Sequence, residues 1–474
     1  MPCLEIIYKQ ISGKCGSIQC IMEVSMRVDL TNGRIGRSII LFSLPMILGN
    51  LLQQLYNVAD TLIVGRTIGA AALSAVGSAY ALMVLLTSIL LGLCMGSGVV
   101  FAQLYGRREE DRMKTAVVNA FVFIFAVAAV ITGLAFLLLN KIILWLHIPP
   151  EAAPFTREYL FIIFFGIFFV CIYNFFSSVL RSIGNTVAPL MFLAVSAVLN
   201  IILDMVFILK FGMGIAGAAW ATVIAQGVSA ALITVYFFVK EGELCPKRCH
   251  MYYSRELLGM IINNSTLTAI QQSIMNLGIL MVQGLVNSFG FLTSAAFAAV
   301  VKIDAFAYMP AQDFGNAFTT YIAQNYGAGK PDRIKNGLRL AVGISVCFCA
   351  AASMIVVAFA RQLMLIFIKP QETEIIAIGV KYLHIVGCFY AGIGILFLLY
   401  GLYRGLGRSA VSIWLTVISL GSRVLLAYAL SAVPAIGLIG IWWAVPIGWA
   451  LADVFGLLYF GCRKKRLLLE CKQS

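Results

Sequence analysis

A chain of 474 residues that is 61% apolar and only 11% charged departs sharply from soluble globular composition, in which about 25% of residues carry charge. Its formal net charge of +14 would suit nucleic acid if it were gathered on a soluble domain. Instead the basic residues fall between long apolar runs, where they report membrane topology and attraction to anionic headgroups, so a soluble enzyme and a nucleic-acid-binding module are both excluded.

In chain order, residues 1–35 come first. They are mixed in composition, with no apolar core or cleavage signal of a signal peptide, and Met22 or Met26 is a candidate true start. Twelve apolar runs follow, centred on Leu51, Leu86, Ala128, Gly166, Leu199, Ala225, Ile270, Phe306, Ala350, Leu396, Leu420 and Ala450. Each can cross a hydrocarbon core of ~30 Å. Backbone polar groups in lipid must be satisfied within the segment, and the runs lack the alternation of barrel strands, so they read as helices. The expected fold is an all-α polytopic membrane protein of twelve transmembrane helices in two pseudo-symmetric six-helix lobes. Residues 36–240 form the N-lobe, 241–255 an inter-lobe loop, 256–462 the C-lobe and 463–474 a basic tail. With the N-terminus inside, the inner loops and both ends hold 25 Lys/Arg and the outer loops 7. That bias predicts cytoplasmic termini in a bacterial-type inner membrane. The 12 cysteines are scattered and imply no disulfide framework. Cys245, Cys249 and His250 have the spacing of a partial zinc site but lack a fourth ligand, so no metal is expected.

The two halves are a duplication. Ala102-Gln103-Leu104-Tyr105-Gly106 returns as Ala323-Gln324-Asn325-Tyr326-Gly327 at an offset of 221, and Asp111, Arg112 and Lys114 return with it. Arg181-Ser182-Ile183-Gly184 returns as Arg404-Gly405-Leu406-Gly407, and Gly214, Gly217 and Trp220 as Gly437, Gly440 and Trp443, at 223. Gln53-Gln54 matches Gln271-Gln272 at 218. Six helices per half is an even number, so the repeats enter the membrane from the same side and are related by an axis along its normal. The substrate path is expected between them, and rocking of the two bundles is the motion this architecture permits.

An ionised side chain at mid-bilayer costs about 2.5–3.5 kcal/mol on insertion scales, so each one invites a functional explanation. Of 20 acidic residues, five lie within the apolar runs: Asp60, Asp204, Asp304, Asp313 and Asp453. Tyr56 lies one turn before Asp60, and Asn200 one turn before Asp204, so each carboxylate shares a helix face with a polar partner. Oxygen-rich pairs on two helices can form a proton site or a cage for a hard cation; the plainer alternative is a hydrogen-bonded anchor between helices. Asp304 and Asp313, nine residues apart, are expected to face different sides. Asp304 is a candidate for a substrate or coupling role, and Asp453 is expected to pair with Arg423. Gly92 and Gly96 form a small-xxx-small pair that marks close helix contact.

Phe42-Ser43-Leu44-Pro45, Gln53-Gln54, Asn57, Asp60, Val64-Gly65, the Ala102–Gly106 motif, Arg181-Ser182-Ile183-Gly184-Asn185 and Leu199–Asp204 resemble the multidrug and toxic compound extrusion (MATE) family. The resemblance spans residues 30–465. It implies a V-shaped two-lobe exporter of small cationic or amphipathic organic compounds, driven by exchange for H+ or Na+, with no other cofactor. It further implies that Asp60, Asn200, Asp204 and Thr222 are cation ligands, with Tyr56 in the surrounding hydrogen-bond network. Pro45 matches a first-helix proline associated with bending, and Gln53, Asn57 and Asp304 are assigned to the substrate path or the conformational change. Other members carry acidic coupling residues on helices seven and ten; their absence from the interior of those helices places coupling in the N-lobe. For substrate, an anionic cleft walled by Tyr and Phe would favour lipophilic cations.

Two other classes compete. A flippase for lipid-linked saccharides shares a related fold but commonly has additional helices and a cationic cavity. An intramembrane enzyme would need a catalytic dyad, and the three histidines, His147, His250 and His384, include none at a helix centre beside a nucleophile. No P-loop is present to support ATP-driven pumping. The expected partners are therefore a small organic substrate and the bilayer, with no nucleic acid and no obligatory protein partner.

Overall fold

The structure, a computed structural model, describes residues 27–68, 70–145, 148 and 152–473; the candidate starts Met22 and Met26 and His147 lie outside them. The helices are α1 Ile35–Thr67, α2 Ala70–Gly106, α3 Glu110–Trp145, α4 Ala153–Ser182, α5 Val187–Asp204, α6 Gly214–Lys240, α7 Arg255–Asn287, α8 Phe291–Gly327, α9 Pro331–Ala358, α10 Ala360–Phe367, α11 Thr373–Gly387, α12 Tyr390–Gly405, α13 Ser409–Ser431 and α14 Leu438–Gln473. Among the described residues, eleven helices are long and apolar enough to span a membrane, and α11 with α12, bent by 53° at their junction, makes a twelfth. The tenth span, read from sequence as one run centred on Leu396, is therefore broken at residues 388–389. No proline marks the break, so the pattern of apolar residues carries no trace of it.

Two apolar cores run through the molecule. One is built from α2–α6 and the other from α8–α14. The first and seventh spans cross between them: Ile39 and Phe42 of α1 are buried in the second core, while Leu257, Ile261 and Ala269 of α7 are buried in the first. Gly92 and Gly96 explain part of this crossing, because an added Cβ at either would lie 2.4 Å from the backbone of Ala269 or Ser265 on α7. The small-residue pair thus serves internal packing of α2 on α7.

The repeated Ala-Gln-x-Tyr-Gly motifs meet where the lobes touch. A methyl on Gly106 would sit 2.1 Å from the Gln324 carbonyl, and one on Gly327 would sit 2.0 Å from that of Gln103. Only glycine allows backbones this close. Gln103 Nε2 donates to Gly405 O at 2.9 Å, and Gln324 Nε2 donates to Ser182 O at 2.7 Å. Each lobe therefore grips the helix end of the other by the same bond. Both described chain ends lie on this face. Leu30 O accepts from Asn325 Nδ2 at 3.0 Å, and Cys471 Sγ lies 3.6 Å from Tyr326 O. Residues 27–33 strap the two lobes together: Val28 N donates to Gly184 O at 3.0 Å, Arg27 pairs with Glu241, and Arg333 Nη1 donates to Gly33 O at 2.9 Å. His250 in the inter-lobe loop is taken up by Asp111, its Nε2 lying 3.1 Å from Oδ1. Among the described residues no cluster of His, Cys, Asp and Glu is arranged to hold a metal.

Candidate functional site: a buried carboxylate pair beside a central cavity

The first helix passes Asp60 across the end of the fifth. Asp60 is 8% exposed and Asp204 0%, and their carboxyl groups meet within hydrogen-bonding range. Among the described residues, Oδ1 of each is buried without a hydrogen-bond donor. Asp204 ends the α-helical part of its span, and the chain continues as a π-helical turn, Met205–Lys210; such wide turns occur often at functional sites. One turn before Asp204, Asn200 bridges to the sixth span. In the amide orientation that satisfies both neighbours, its nitrogen donates to Asp204 Oδ2 at 3.2 Å and its oxygen accepts from Thr222 N at 3.3 Å. Tyr56, one turn before Asp60, lies close enough to both carboxylates to feel their charge.

Tyr56, Asn200 and Thr222 also line a chamber of ≈ 100 Å³ beside the pair, together with Gln53, Tyr173, Asn174 and Gln226. The structure thus gathers Tyr56, Asp60, Asn200, Asp204 and Thr222 from three helices into one place. Gln53, Tyr173, Asn174 and Gln226 also line a larger cavity of ≈ 430 Å³ between the lobes, so chamber and cavity adjoin. That volume lies within the range of small-molecule sites. Pro45 faces the larger cavity from within a continuous helix, whereas Asn57 and Asp304 line neither space.

Asp304 and Asp313 do face different sides. Asp304 is buried in the C-lobe core, where Tyr382 Oη donates to it at 2.6 Å and Tyr390 donates to its other oxygen. These tyrosines stand on α11 and α12, so Asp304 clasps the two halves of the broken span. Asp313 instead enters the central cavity, where Asn50 Nδ2 donates to it at 2.5 Å. The expected Asp453–Arg423 pair is not formed. Asp453 Oδ1 and Arg423 Nε are both buried without a hydrogen-bond partner among the described residues, and the Arg423 charge acts on the Asp304 cluster. Helix rotation, invisible in the spacing of the two residues, decides this.

The cavity differs from the expected anionic, aromatic cleft. Its charged lining residues are Asp313, Arg181 and Arg404, and Tyr173 is its single aromatic among the described residues. Arg181 and Arg404, counted from sequence among inner-loop cations, belong to the last turns of α4 and α12. Asn174, Gln226 and Tyr173 carried no sequence signal beyond being polar groups in apolar runs.

The MatE family profile matches residues 45–206 and again residues 268–429, one copy in each lobe. The chain belongs to the MATE family. This MATE protein is 32% identical over 392 residues to the "Probable multidrug resistance protein YpnP" of Bacillus subtilis (strain 168), covering 82% of the chain and 87% of the relative. It is 28% identical over 467 residues to the "Probable multidrug resistance protein YoeA" of the same organism, covering 94% and 99%. A crystal structure of a MATE protein in complex with MaL6 superposes with a TM-score of 0.88 at 23% identity, covering 95% of this chain and 100% of that one, which shows the shared fold. The protein is a multi-pass membrane transporter of the multidrug efflux type and not an enzyme. Its partners are a small molecule and the bilayer. The family match does not favour the lipid-linked saccharide flippase.

Proposed function

We propose that this MATE protein is a secondary antiporter that exports small cationic or amphipathic organic compounds in exchange for H+ or Na+ by alternating access. The supporting observation is the contact of two buried carboxyls, Asp60 and Asp204, beside a chamber that adjoins the central cavity. Two carboxylates this close repel when both are ionised, so one proton or one monovalent cation between them relieves the repulsion. Asn200, Thr222 and Tyr56 supply further oxygens, enough to hold sodium. In this reading Gln53, Tyr173 and Asn174 are common to both spaces and carry the effect of ion occupancy to the substrate. Pro45 removes one backbone hydrogen bond from the same helix and lets it yield. The bias of basic residues supports cytoplasmic termini.

The test is efflux of a fluorescent lipophilic cation from proteoliposomes under separately imposed pH and sodium gradients. Gradient-driven efflux that Asp60→Asn or Asp204→Asn abolishes supports the antiporter, and the effective gradient names the ion. Wild-type protein that moves no probe under either gradient refutes it.

A further inference from the structure

Arg181 and Arg404 are related by the internal repeat, so each lobe contributes one guanidinium to the same cavity. A guanidinium carries five N–H donors and stays charged. Arg404 is 4% exposed and uses two of its groups, Nη2 to Asn316 Oδ1 at 3.0 Å and Nε to Tyr400 O at 3.3 Å. Arg181 makes no side-chain hydrogen bond among the described residues, and its Nε is buried without a partner. Neither arginine has a carboxylate within 4.0 Å among the described residues. Asp313, the one carboxylate of the lining among the described residues, acts on Arg181 through space but is held by Asn50. Charges in a membrane interior are ordinarily paired or functional, and here two cations face one anion across a ligand-sized space. A plainer reading is available for each arginine alone: it sits in the last turn of a helix, where the backbone dipole favours a cation. That reading accounts for the charge at each helix end. It does not account for donors left without acceptors in the cavity.

We propose that the preferred cargo is an amphipathic molecule carrying an oxyanion, with a phosphate monoester the best match to two guanidinium forks. The anion seats between Arg181 and Arg404, and the apolar body lies toward Met46, Met95 and Leu190 of the same lining. This rests on the reading of the central cavity as the transport path.

Flavin mononucleotide and riboflavin are fluorescent and differ only by one phosphate, so they isolate the group in question. With purified full-length protein in nanodiscs, the mononucleotide is expected to bind at least about tenfold tighter, in line with a charge-assisted pair. Arg181→Gln and Arg404→Gln should each bring the ratio of the two affinities toward one, and the ratio cancels any effect of the change on the flavin body that both ligands share. Equal binding of the two flavins to wild type overturns the inference without any variant, and so does a preference that survives both substitutions. The transport reading is scored separately. Vesicles that move a lipophilic cation but not flavin mononucleotide leave the antiporter standing and overturn this assignment. Vesicles that move no probe under any gradient refute the antiporter, while the binding ratio still decides for or against the anion seat.

Discussion

The two lobes are one fold used twice, yet the positions that form the buried carboxylate pair and its polar neighbours in the first carry different side chains in the second. At the repeat offsets, Asp60 corresponds to Gly278, Asn200 to Arg423, Asp204 to Ala427 and Thr222 to Val445. Leu420 packs onto Gly278, where a Cβ would lie 2.9 Å from its Cδ1, and Ala427 and Val445 are buried in apolar surroundings. Arg423 acts on Asp304, whose partner Tyr382 corresponds at the same offset to Tyr159, beside the N-lobe carboxylates. The C-lobe thus keeps this tyrosine but joins it to Asp304, an acid that falls on Met83 of the N-lobe repeat, in a clasp. One scaffold appears twice, and three of the four counterpart positions, Gly278, Ala427 and Val445, lack the side-chain oxygen present in the N-lobe.

The sharpest test of this contrast is loss of function. Asp60→Asn and Asp204→Asn should each abolish gradient-driven efflux, while Asp304→Asn should retain ion-dependent efflux; equal loss in all three would erase the distinction between lobes. A second test transplants the N-lobe acid. Gly278→Asp places an unpaired carboxylate against Leu420 and should lower stability by about 3–5 kcal/mol, the range for an uncompensated buried charge, read as a fall in melting temperature. If it melts like wild type, the C-lobe has a latent site.

Where the lobes are alike, effects should match. Gly106→Ala and Gly327→Ala each drive a methyl into the facing carbonyl and should cost about 1–3 kcal/mol, as for overpacking. Both should open the terminus-bearing face to a thiol reagent at an introduced cysteine to a similar extent. A strong asymmetry would mean that only one crossing holds the face closed. The smallest effect belongs to the clasp. Tyr382→Phe removes one donor from Asp304 and should cost about 1–3 kcal/mol with unchanged ion dependence of efflux; a shift in that dependence would make the clasp part of the coupling.

Much of this was legible without a structure. Lipid forces each backbone polar group to be satisfied within its own helix, so twelve spans and a two-lobe repeat follow from apolar run lengths and constant offsets. Tyr56 with Asp60, and Asn200 with Asp204, could be paired because a helix fixes which residues share a face. How each helix turns about its axis was not legible, since residues close in sequence report nothing about neighbours across the bilayer. That rotation sent Arg423 to Asp304 and not to Asp453, put Asp313 into the cavity and Asp304 into the core, and turned two arginines toward the cavity. The fold and the identity of the buried acids are local properties of the chain. The cavity charge, the break between α11 and α12 and the packing of Leu420 onto Gly278 come from contacts among helices far apart in sequence, which only the tertiary structure decides.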